Sequence, residues 1–406
     1  MIPPLPPGDA WSRALLDWFA RHRRPMPWRD DPAPYKVWVS EIMLQQTQVA
    51  TVIPYFNRFL ARCPDVRALA AAPPAAILKL WEGLGYYSRA RNLQRAAQLI
   101  VETRAGQLPA CYAEWLTLPG VGTYTAAAIA SIAGGESVPA VDGNVLRVFA
   151  RCLGFRDDIA SPAVRRQLFE RLQGALTGDL PAGDFNQAVM ELGALVCRPR
   201  APACAACPLA SVCVAHREGR TAELPVRTRA RPGPRYQVAA VRLTAGGAVL
   251  LVQRPVDGLL GDLWELPRAR RAGREALAVT AVRAASEAIG DAAPQAGALR
   301  KVGRFTHAFS HFSETVNLFA AALPETFPTA APSAAWIPDG TIETLPLTTA
   351  ARKALRLQAA DKRIEDGLRP VTQKSEDGSQ RSVGAPGCPD DAGLHVDPMQ
   401  RIGTGP

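Results

Sequence analysis

The chain has 406 residues, of which 48% are hydrophobic, and it carries a formal net charge of +10. At roughly 100–200 residues per domain, this length indicates two or three folded units with enough apolar material for packed cores. The basic charge suits a polyanion such as nucleic acid or an anionic membrane, although basic proteins without such a partner are common. No run of about 20 apolar residues occurs, which argues against a transmembrane helix.

The amino-terminal residues 1–9 are rich in proline and lack the basic and apolar regions of a secretory signal. The sequence therefore predicts a cytoplasmic protein, associated with the nucleoid if the source is bacterial. In such a reducing compartment, the eight cysteines are expected as thiols or metal ligands rather than as disulfides.

Helical patterns dominate residues 1–214, where apolar side chains recur at three- and four-residue spacing, as at Leu78, Trp81 and Leu84. No convincing strand occurs there, so we predict an all-α domain. Residues 215–235 contain six arginines and three prolines, which indicates an extended, basic interdomain linker.

Residues 236–360 alternate strand-like runs with a helix at about Arg274–Ile289, which predicts an α+β domain. The predicted strands are Gln237–Leu243, Ala248–Gln253, Leu299–Phe305 and Glu314–Ala321. Residues 361–406 contain no aromatic residue and are rich in Asp, Gly, Pro and Ser, so a disordered tail is expected.

Four cysteines lie within seventeen residues, in a loop that is rich in proline and alanine. They are Cys197, Cys204, Cys207 and Cys213. Both a [4Fe–4S] cluster and a four-thiolate zinc site need this set of ligands, and unligated buried cysteines are the third option. Only one CxxC pair is present, whereas structural zinc sites tend to use two. The spacing resembles the cluster loop of the endonuclease III superfamily of DNA glycosylases, which implies a structural [4Fe–4S] cluster.

A glycine turn, Leu118–Gly122, lies between helical patterns at Ala113–Thr117 and Thr123–Ala133. Gly120 and Gly122 allow close backbone approach, and the following helix presents free N–H groups to an anion. On its own, the turn is equally well an ordinary link between helices. Its position upstream of the cysteine loop resembles the helix–hairpin–helix motif of the same superfamily, which implies contacts to DNA phosphates.

An acid, Asp142, follows the hairpin in the place of the superfamily's aspartate. A carboxylate there can stabilise an oxocarbenium-like sugar, and Asn144 can orient the carboxylate or a water molecule. Asp142 also suits the N-cap of a helix over Val145–Leu153, and both roles can hold at once. In the lyase members, a lysine lies two residues after the hairpin turn. Here that residue is Tyr124, which disfavours a lysine Schiff base and implies a monofunctional enzyme that uses water.

A second acid, Glu41, lies in the segment Pro34–Gln48, which closely resembles the active-site segment of adenine DNA glycosylases of the MutY type. Among Trp38, Ile42 and Met43, burial should raise the pKa of Glu41 so that it can protonate a purine near neutral pH. A solvent-exposed glutamate on a polar helix face is the alternative.

Further residues are expected to contact DNA. A polar break in the helix pattern at Gln45, Gln46 and Thr47 could enter the duplex when a base is extruded, and Leu84 and Tyr86 could fill the vacated stack, unless their turn is buried in the core. By resemblance alone, the adenine pocket is expected to include Trp28, Arg29 and Gln187.

The α+β domain resembles the Nudix-like domain of the same adenine glycosylases. Its candidate helix, Ala281–Gly290, keeps a single glutamate, so pyrophosphate hydrolysis by a Nudix hydrolase is disfavoured. The segment Thr306–Phe312 resembles the loop that contacts 8-oxoguanine, which implies recognition by Phe309, Ser310 and His311. A plain turn between strands is the alternative.

The resemblance implies a monomeric adenine DNA glycosylase that acts on double-stranded DNA with adenine opposite 8-oxoguanine or guanine. Glu41 would protonate the adenine. Asp142 would stabilise the sugar cation, either electrostatically or as a transient covalent adduct, while Tyr124 and Asn144 support the site. The alternatives are an endonuclease III-like pyrimidine glycosylase and lyase, and a non-catalytic iron–sulfur DNA-binding protein.

Overall fold

The computed structural model describes residues 2–176, 180–228 and 233–357, and all of these belong to one compact unit. The first half is helical, and its described residues contain no strand, as predicted. The helices are α1 (Ala10–His22), α2 (Pro27–Asp30), α3 (Pro34–Leu44), α4 (Val49–Arg62), α5 (Val66–Ala71), α6 (Pro74–Trp81), α7 (Ser88–Arg104), α8 (Tyr112–Trp115), α9 (Thr123–Gly134), α10 (Gly143–Leu153), α11 (Pro162–Gln173), α12 (Ala182–Leu195) and α13 (Val214–Arg217).

The helical half has two hydrophobic cores. The first is formed by α2 to α9 and is centred on the buried indoles of Trp38, Trp81 and Trp115. The second is formed by α1 and α10 to α12 and includes Phe149 and Phe185. We call the helices around the first core the first lobe and those around the second core the second lobe. The chain crosses from the first lobe to the second at residues 140–141, so that the N-terminus of α10 faces the first lobe.

The glycine turn between α8 and α9 has the geometry that the sequence predicts. Gly120 has a φ of +77°, and a Cβ atom there would lie 2.6 Å from Cβ of Asn92. Any other residue would therefore be strained. Gly122 is the N-cap of α9, and no atom lies within 4 Å of the position that its Cβ would occupy. The backbone is thus open to close approach at the helix N-terminus.

Within the described residues, the second half is a mixed sheet with two α-helices, one of them at residues 349–357, which confirms the α+β prediction. Its elements are β1 (Arg235–Ala245), β2 (Ala248–Gln253), β3 (Trp264–Glu265), β4 (Arg268–Arg270), α14 (Leu277–Ile289), β5 (Arg300–Ala308), β6 (Ser313–Ala322) and β7 (Ala334–Pro338). The main path through the sheet is β3-β2-β1-β6-β5, with β4 paired to β1 and β7 paired to β2. β1 and β6 are parallel, and the remaining pairs are antiparallel.

The sheet is covered on both faces, which explains the continuous burial of β1 from Val238 to Leu243. Val238 and Ala240 face a core that includes residues 342–354, whereas Ala239 and Val241 face α14. A strand with two buried faces loses the polar alternation of a half-exposed strand. The sequence pattern predicts the longer strands but not β3 and β4, because two or three residues are too few to show a period of two. It does not predict β7 either.

Two other segments differ from expectation or cannot be compared with it. The predicted extended linker at 215–235 is wrong in part. Its first residues belong to α13, which packs against α10, and its Leu224 is buried. The predicted disordered tail at 361–406 lies outside the described residues. Among the residues that are described, no helix has the length and apolar character needed to cross a membrane.

Candidate active site

A cavity of about 200 Å³ lies between the two helical lobes and brings the predicted acids together. α3 contributes Glu41, the start of α9 contributes Tyr124, and the start of α10 contributes Asp142 and Asn144. The wall is completed by Trp28, Arg29, Thr47, Gln187, Met190 and Glu191, with other residues. Residues that are distant in sequence thus share one pocket because the two lobes meet there.

Glu41 is buried, with only 6% of the residue exposed, and is not on a polar helix face. Its Oε2 accepts a hydrogen bond of 2.8 Å from the hydroxyl of Tyr124. Burial raises the pKa of Glu41 to about 7, because desolvation of the carboxylate outweighs the stabilising hydrogen bond from Tyr124. The carboxyl is therefore substantially protonated at neutral pH, which a general acid requires.

Asp142 caps α10 and is also held by its neighbour. Its Oδ1 accepts from the backbone N–H of Val145 at 2.7 Å, and its Oδ2 accepts from Nδ2 of Asn144 at 2.8 Å. Burial raises the pKa of Asp142, and these two hydrogen bonds oppose the rise. Asp142 can cap α10 and act in the cavity at the same time. The two hydrogen bonds fix both carboxylate oxygens, and the residue still lines the pocket.

Asn144 is itself oriented by Arg147, which the sequence reading did not identify. Arg147 donates to Oδ1 of Asn144 at 2.7 Å and to the carbonyls of Gly193 and Cys197, both at 2.8 Å. A continuous set of hydrogen bonds therefore joins the Asp142 carboxylate to the backbone of the first cysteine of the loop.

The three residues assigned to the adenine pocket by resemblance all line the cavity. Trp28 is buried against Phe56, edge to face, with ring centroids 5.1 Å apart. Arg29 donates to Oε1 of Gln187 at 3.0 Å and to the buried carboxylate of Glu191 at 3.1 Å. Paired with two arginines, Arg24 and Arg29, Glu191 has its pKa lowered to about 2, so it remains an anion that holds this wall in place.

The two segments expected to enter DNA are exposed at their tips and share one anchor. Gln46 and Tyr86 have positive φ values of 59° and 47°, a strained conformation for residues other than glycine. Arg89 donates to the carbonyls of Ile42, Met43 and Gln45 at the end of α3, and to those of Leu84 and Gly85 in the other turn. One guanidinium thus supports both tips.

Within these segments, the side chains differ in access. Tyr86 is 46% exposed and Gln46 is exposed, whereas Leu84 is buried in the first core. Gln45 donates to Oγ1 of Thr125 at 3.2 Å and so points inwards. Of these side chains, Tyr86 and Gln46 are therefore the exposed ones, whereas Leu84 supports the turn from the core.

The four loop cysteines line one cavity. A fifth cysteine, Cys152, also lines it and was not among the predicted ligands. Arg151 is buried, donates to Sγ of Cys197 at 3.3 Å, and binds the carbonyls of Arg198 and Pro199. Backbone N–H groups also bind sulfur: that of Leu209 binds Cys207, and those of Ala215 and His216 bind Cys213.

Four sulfurs, a buried guanidinium and N–H···S hydrogen bonds suit an anionic thiolate cluster in their chemistry. Within the part of the chain that the structure describes, however, no three His, Cys, Asp or Glu side chains are placed as a site for a metal ion, so the fit is one of donor type and not of ligand geometry.

The second domain places its predicted recognition residues in a tight turn between β5 and β6. Phe309 stacks on Phe312, with ring centroids 4.3 Å apart, and Ser310 and His311 are exposed at the tip. The hydroxyls of Ser310 and Tyr86 are hydrogen-bonded across a cleft, 2.7 Å apart. The cleft has a volume of about 610 Å³ and is lined by residues of both domains. The segment is therefore a plain turn between strands, as in the alternative interpretation, and it also exposes a surface that a ligand could contact.

Sequence reasoning missed the buried and half-buried charged residues that hold this site. Arg89, Arg147, Arg151 and Glu191 each bind backbone or side-chain atoms far away in sequence. For Arg147, Arg151 and Glu191, a signal existed in their helical positions among apolar neighbours, where an unpaired charge would be unfavourable. The partners themselves became identifiable only when the lobes were brought together.

Comparisons with known proteins agree with this architecture. Residues 39–173 match the HhH-GPD superfamily of base excision DNA repair proteins, and residues 238–357 match the NUDIX domain. The adenine DNA glycosylase of Homo sapiens is 36% identical, over 86% of this chain and 74% of the human protein. That of Mus musculus is 37% identical, over 86% of this chain and 78% of the mouse protein.

Among solved structures, that of a thermostable thymine-DNA glycosylase aligns with a TM-score of 0.47 and 27% identity. The alignment covers 51% of this chain and 95% of that one. The helical repair domain, the Nudix-like domain and identity above 35% across most of the chain lead to one conclusion. This chain belongs to the adenine DNA glycosylase family.

Proposed function

We propose that the chain removes adenine paired with 8-oxoguanine or guanine in double-stranded DNA, and that it leaves the resulting abasic site uncut. The observation that carries this proposal is Glu41: a buried carboxyl with a pKa of about 7, in a pocket that it shares with Asp142. A purine leaves as a neutral base only when its ring is protonated, and a carboxyl with this pKa can supply the proton.

The residues divide the reaction between them. An adenine extruded from the duplex enters the cavity between the lobes, where Trp28, Arg29 and Gln187 line its wall. Glu41 transfers its proton to N7, which weakens the glycosidic bond. As the bond breaks, positive charge develops on the sugar, and the fixed carboxylate of Asp142 stabilises it. Water completes the reaction by bonding to the sugar carbon, and the proton that it loses restores the Glu41 carboxyl.

The lyase alternative lacks a nucleophile in this pocket. Tyr124 occupies the position of the superfamily's Schiff-base lysine, and its hydroxyl is committed to Glu41. Burial and the nearby carboxylates raise the pKa of Tyr124 far above its usual value, so it remains a neutral hydrogen-bond donor. The cavity lining contains arginines but no lysine.

The opposite base would be read from the second domain. Ser310 and His311 are exposed on the turn between β5 and β6, where a small hydroxyl can test the edge of a modified guanine and Phe309 can pack beside it. The hairpin at Gly120 and Gly122, with the free N–H groups of α9, would hold the DNA backbone. A monomer located in the cytoplasm, and associated with the nucleoid if the source is bacterial, remains our prediction.

A duplex with a single 8-oxoguanine·adenine pair tests this function. We expect the purified protein to release adenine and to give a strand break only after alkali treatment, because the described lining of the cavity contains no lysine amine that could cut the abasic site. Cutting before alkali would indicate the lyase alternative. No adenine release from this duplex or from the guanine·adenine duplex would contradict the proposal.

We also propose that Cys197, Cys204, Cys207 and Cys213 hold a [4Fe–4S] cluster. Such a cluster would crosslink the loop through four iron–sulfur bonds and play no part in base chemistry. Arg151 and the three N–H···S contacts would offset its negative charge. Through Arg147, the same loop supports the orientation of Asn144.

Metal analysis provides the test. Protein purified without air should contain close to four irons per chain and absorb broadly in the visible range, and Cys207→Ser should lower both values. Cys63→Ser is the matched control, because Cys63 is a buried cysteine in the first lobe, outside this cavity. One zinc per chain without iron would contradict the cluster.

A further inference from the structure

One acid in the helical half, Glu82, has no part in the chemistry above and yet joins the two domains. It follows α6 directly, is 11% exposed at its side chain, and carries three partners. Its carboxylate forms an ion pair with Arg352, accepts from Lys79 at 2.8 Å, and accepts from the backbone N–H of Leu347 at 3.1 Å. Arg352 and Leu347 belong to the second domain.

The segment that Glu82 holds is firmly attached to the sheet. The N–H of Trp264 in β3 donates to the carbonyl of Pro346 at 2.9 Å, and the N–H of Thr348 donates back to Trp264 at 3.0 Å. Lys79 adds a hydrogen bond of 3.0 Å to the carbonyl of Leu345. If the segment bound by Glu82 moved, β3 at the edge of the sheet would therefore move with it.

On its own side, Glu82 is fixed by the main chain. The hydroxyl of Tyr55 donates to the carbonyl of Glu82 at 2.7 Å. The next residue, Gly83, has a φ of +103°, and a Cβ there would lie 2.3 Å from the Tyr55 oxygen. The turn that presents Tyr86 starts at this point. Glu82 thus links the base of that turn to the second domain.

The same arrangement bounds the cleft between the domains. Tyr86 lines one side of it, while Ser310 and Thr349 line the other, and Thr349 lies between two partners of Glu82 in sequence. Another cross-domain contact, from Arg91 to the carbonyl of Gly261 at 2.9 Å, lies at the same cleft. The distance between the tip of Tyr86 and the turn at Ser310 therefore depends on these contacts.

We propose that Glu82 is a positioning residue that sets the discrimination between 8-oxoguanine and guanine opposite adenine. It does so by holding the Nudix-like domain at the spacing at which Tyr86 and Ser310 act on the same base pair. This inference rests on the proposed function. Glu82 lies outside the adenine cavity. Its loss therefore removes the faster excision of adenine opposite 8-oxoguanine and leaves excision of adenine opposite guanine intact.

Single-turnover excision from the two duplexes tests the proposal. In Glu82→Gln, we expect the rate on the 8-oxoguanine·adenine duplex to fall about fivefold or more, while the rate on guanine·adenine stays within about twofold, since couplings between sites are typically of this size. Arg352→Met should give the same selective loss, and the double variant should lose no more than either single variant. Arg352→Met also covers the case in which Glu82→Gln does not fold.

Glu343→Gln is the matched control. Glu343 also pairs with Arg352, at 3.5 Å, but lies in the same domain as Arg352, so the ratio of the two rates should not change. An unchanged ratio in both Glu82→Gln and Arg352→Met would overturn the inference, as would multiplied losses in the double variant. If the unmodified protein releases no adenine, the proposed function fails instead, and the two failures are thus distinguishable.

Discussion

Glu41→Gln is expected to lower the single-turnover rate of adenine excision by about a thousandfold, within the 10²–10⁴ range of general acid catalysis. Glutamine has the same shape and can still accept from the Tyr124 hydroxyl, but it has no proton to give. Binding to the uncleaved mispair should remain within a few fold of the unmodified protein. Rate and affinity measured on the same duplex check this directly.

The pH profile separates a proton donor from a merely structural acid. With the Glu41 pKa at about 7, excision by the unmodified protein should decline as pH rises through 7, because the protonated fraction falls. Tyr124 donates to the ionised carboxylate and lowers this pKa, so Tyr124→Phe should move the decline to higher pH. Residual excision in Glu41→Gln with an unchanged profile would mean that another group is the acid.

Stability gives an independent check with a defined sign. Because the folded-state pKa of Glu41 is raised from 4.5 to about 7, the folded protein binds more protons than the unfolded chain between these values. The contribution of Glu41 therefore becomes less favourable as pH rises from 4.5 to 7. Glu41→Gln should raise the free energy of unfolding at pH 8 by at most about 3–4 kcal/mol, at about 1.4 kcal/mol per pKa unit. The gain should vanish near pH 4.

Asp142→Asn is expected to lower excision by about 10²–10³-fold, the size seen when one stabilising electrostatic group is removed. The loss should leave the fold intact, since asparagine also serves as an N-cap and can accept from Val145. The expected pattern is a large fall in the single-turnover rate, little change in mispair affinity, and a thermal midpoint near that of the unmodified protein.

Asp65→Asn is the matched control for this variant. Asp65 caps α5 with the same geometry, accepting from the N–H of Ala68 at 2.8 Å, but it does not line the adenine cavity. It should leave excision unchanged. Equal excision in Asp142→Asn and the unmodified protein would limit Asp142 to its capping role.

Local chemistry in the sequence was sufficient for much of the fold. The helices of the first half and the long strands of the second follow apolar periodicity, and Gly120 marks the hairpin because a turn with positive φ needs glycine. The two acids were identifiable because each lies in a contiguous motif. The short strands β3 and β4 were not, since they are stabilised by pairing rather than by their own pattern.

The sequence by itself predicted the acids of the candidate active site and the cysteines of the loop, because those predictions depend on residue type and local spacing. Tertiary structure alone decided what these residues touch. The pKa of Glu41 depends on burial between two lobes, and the five carbonyls bound by Arg89 come from two separate turns. The link from Glu82 to Arg352 spans 270 positions of the chain, as the difference of their numbers shows. Desolvation and long-range ion pairs are properties of packing, and a local pattern of residues does not record them.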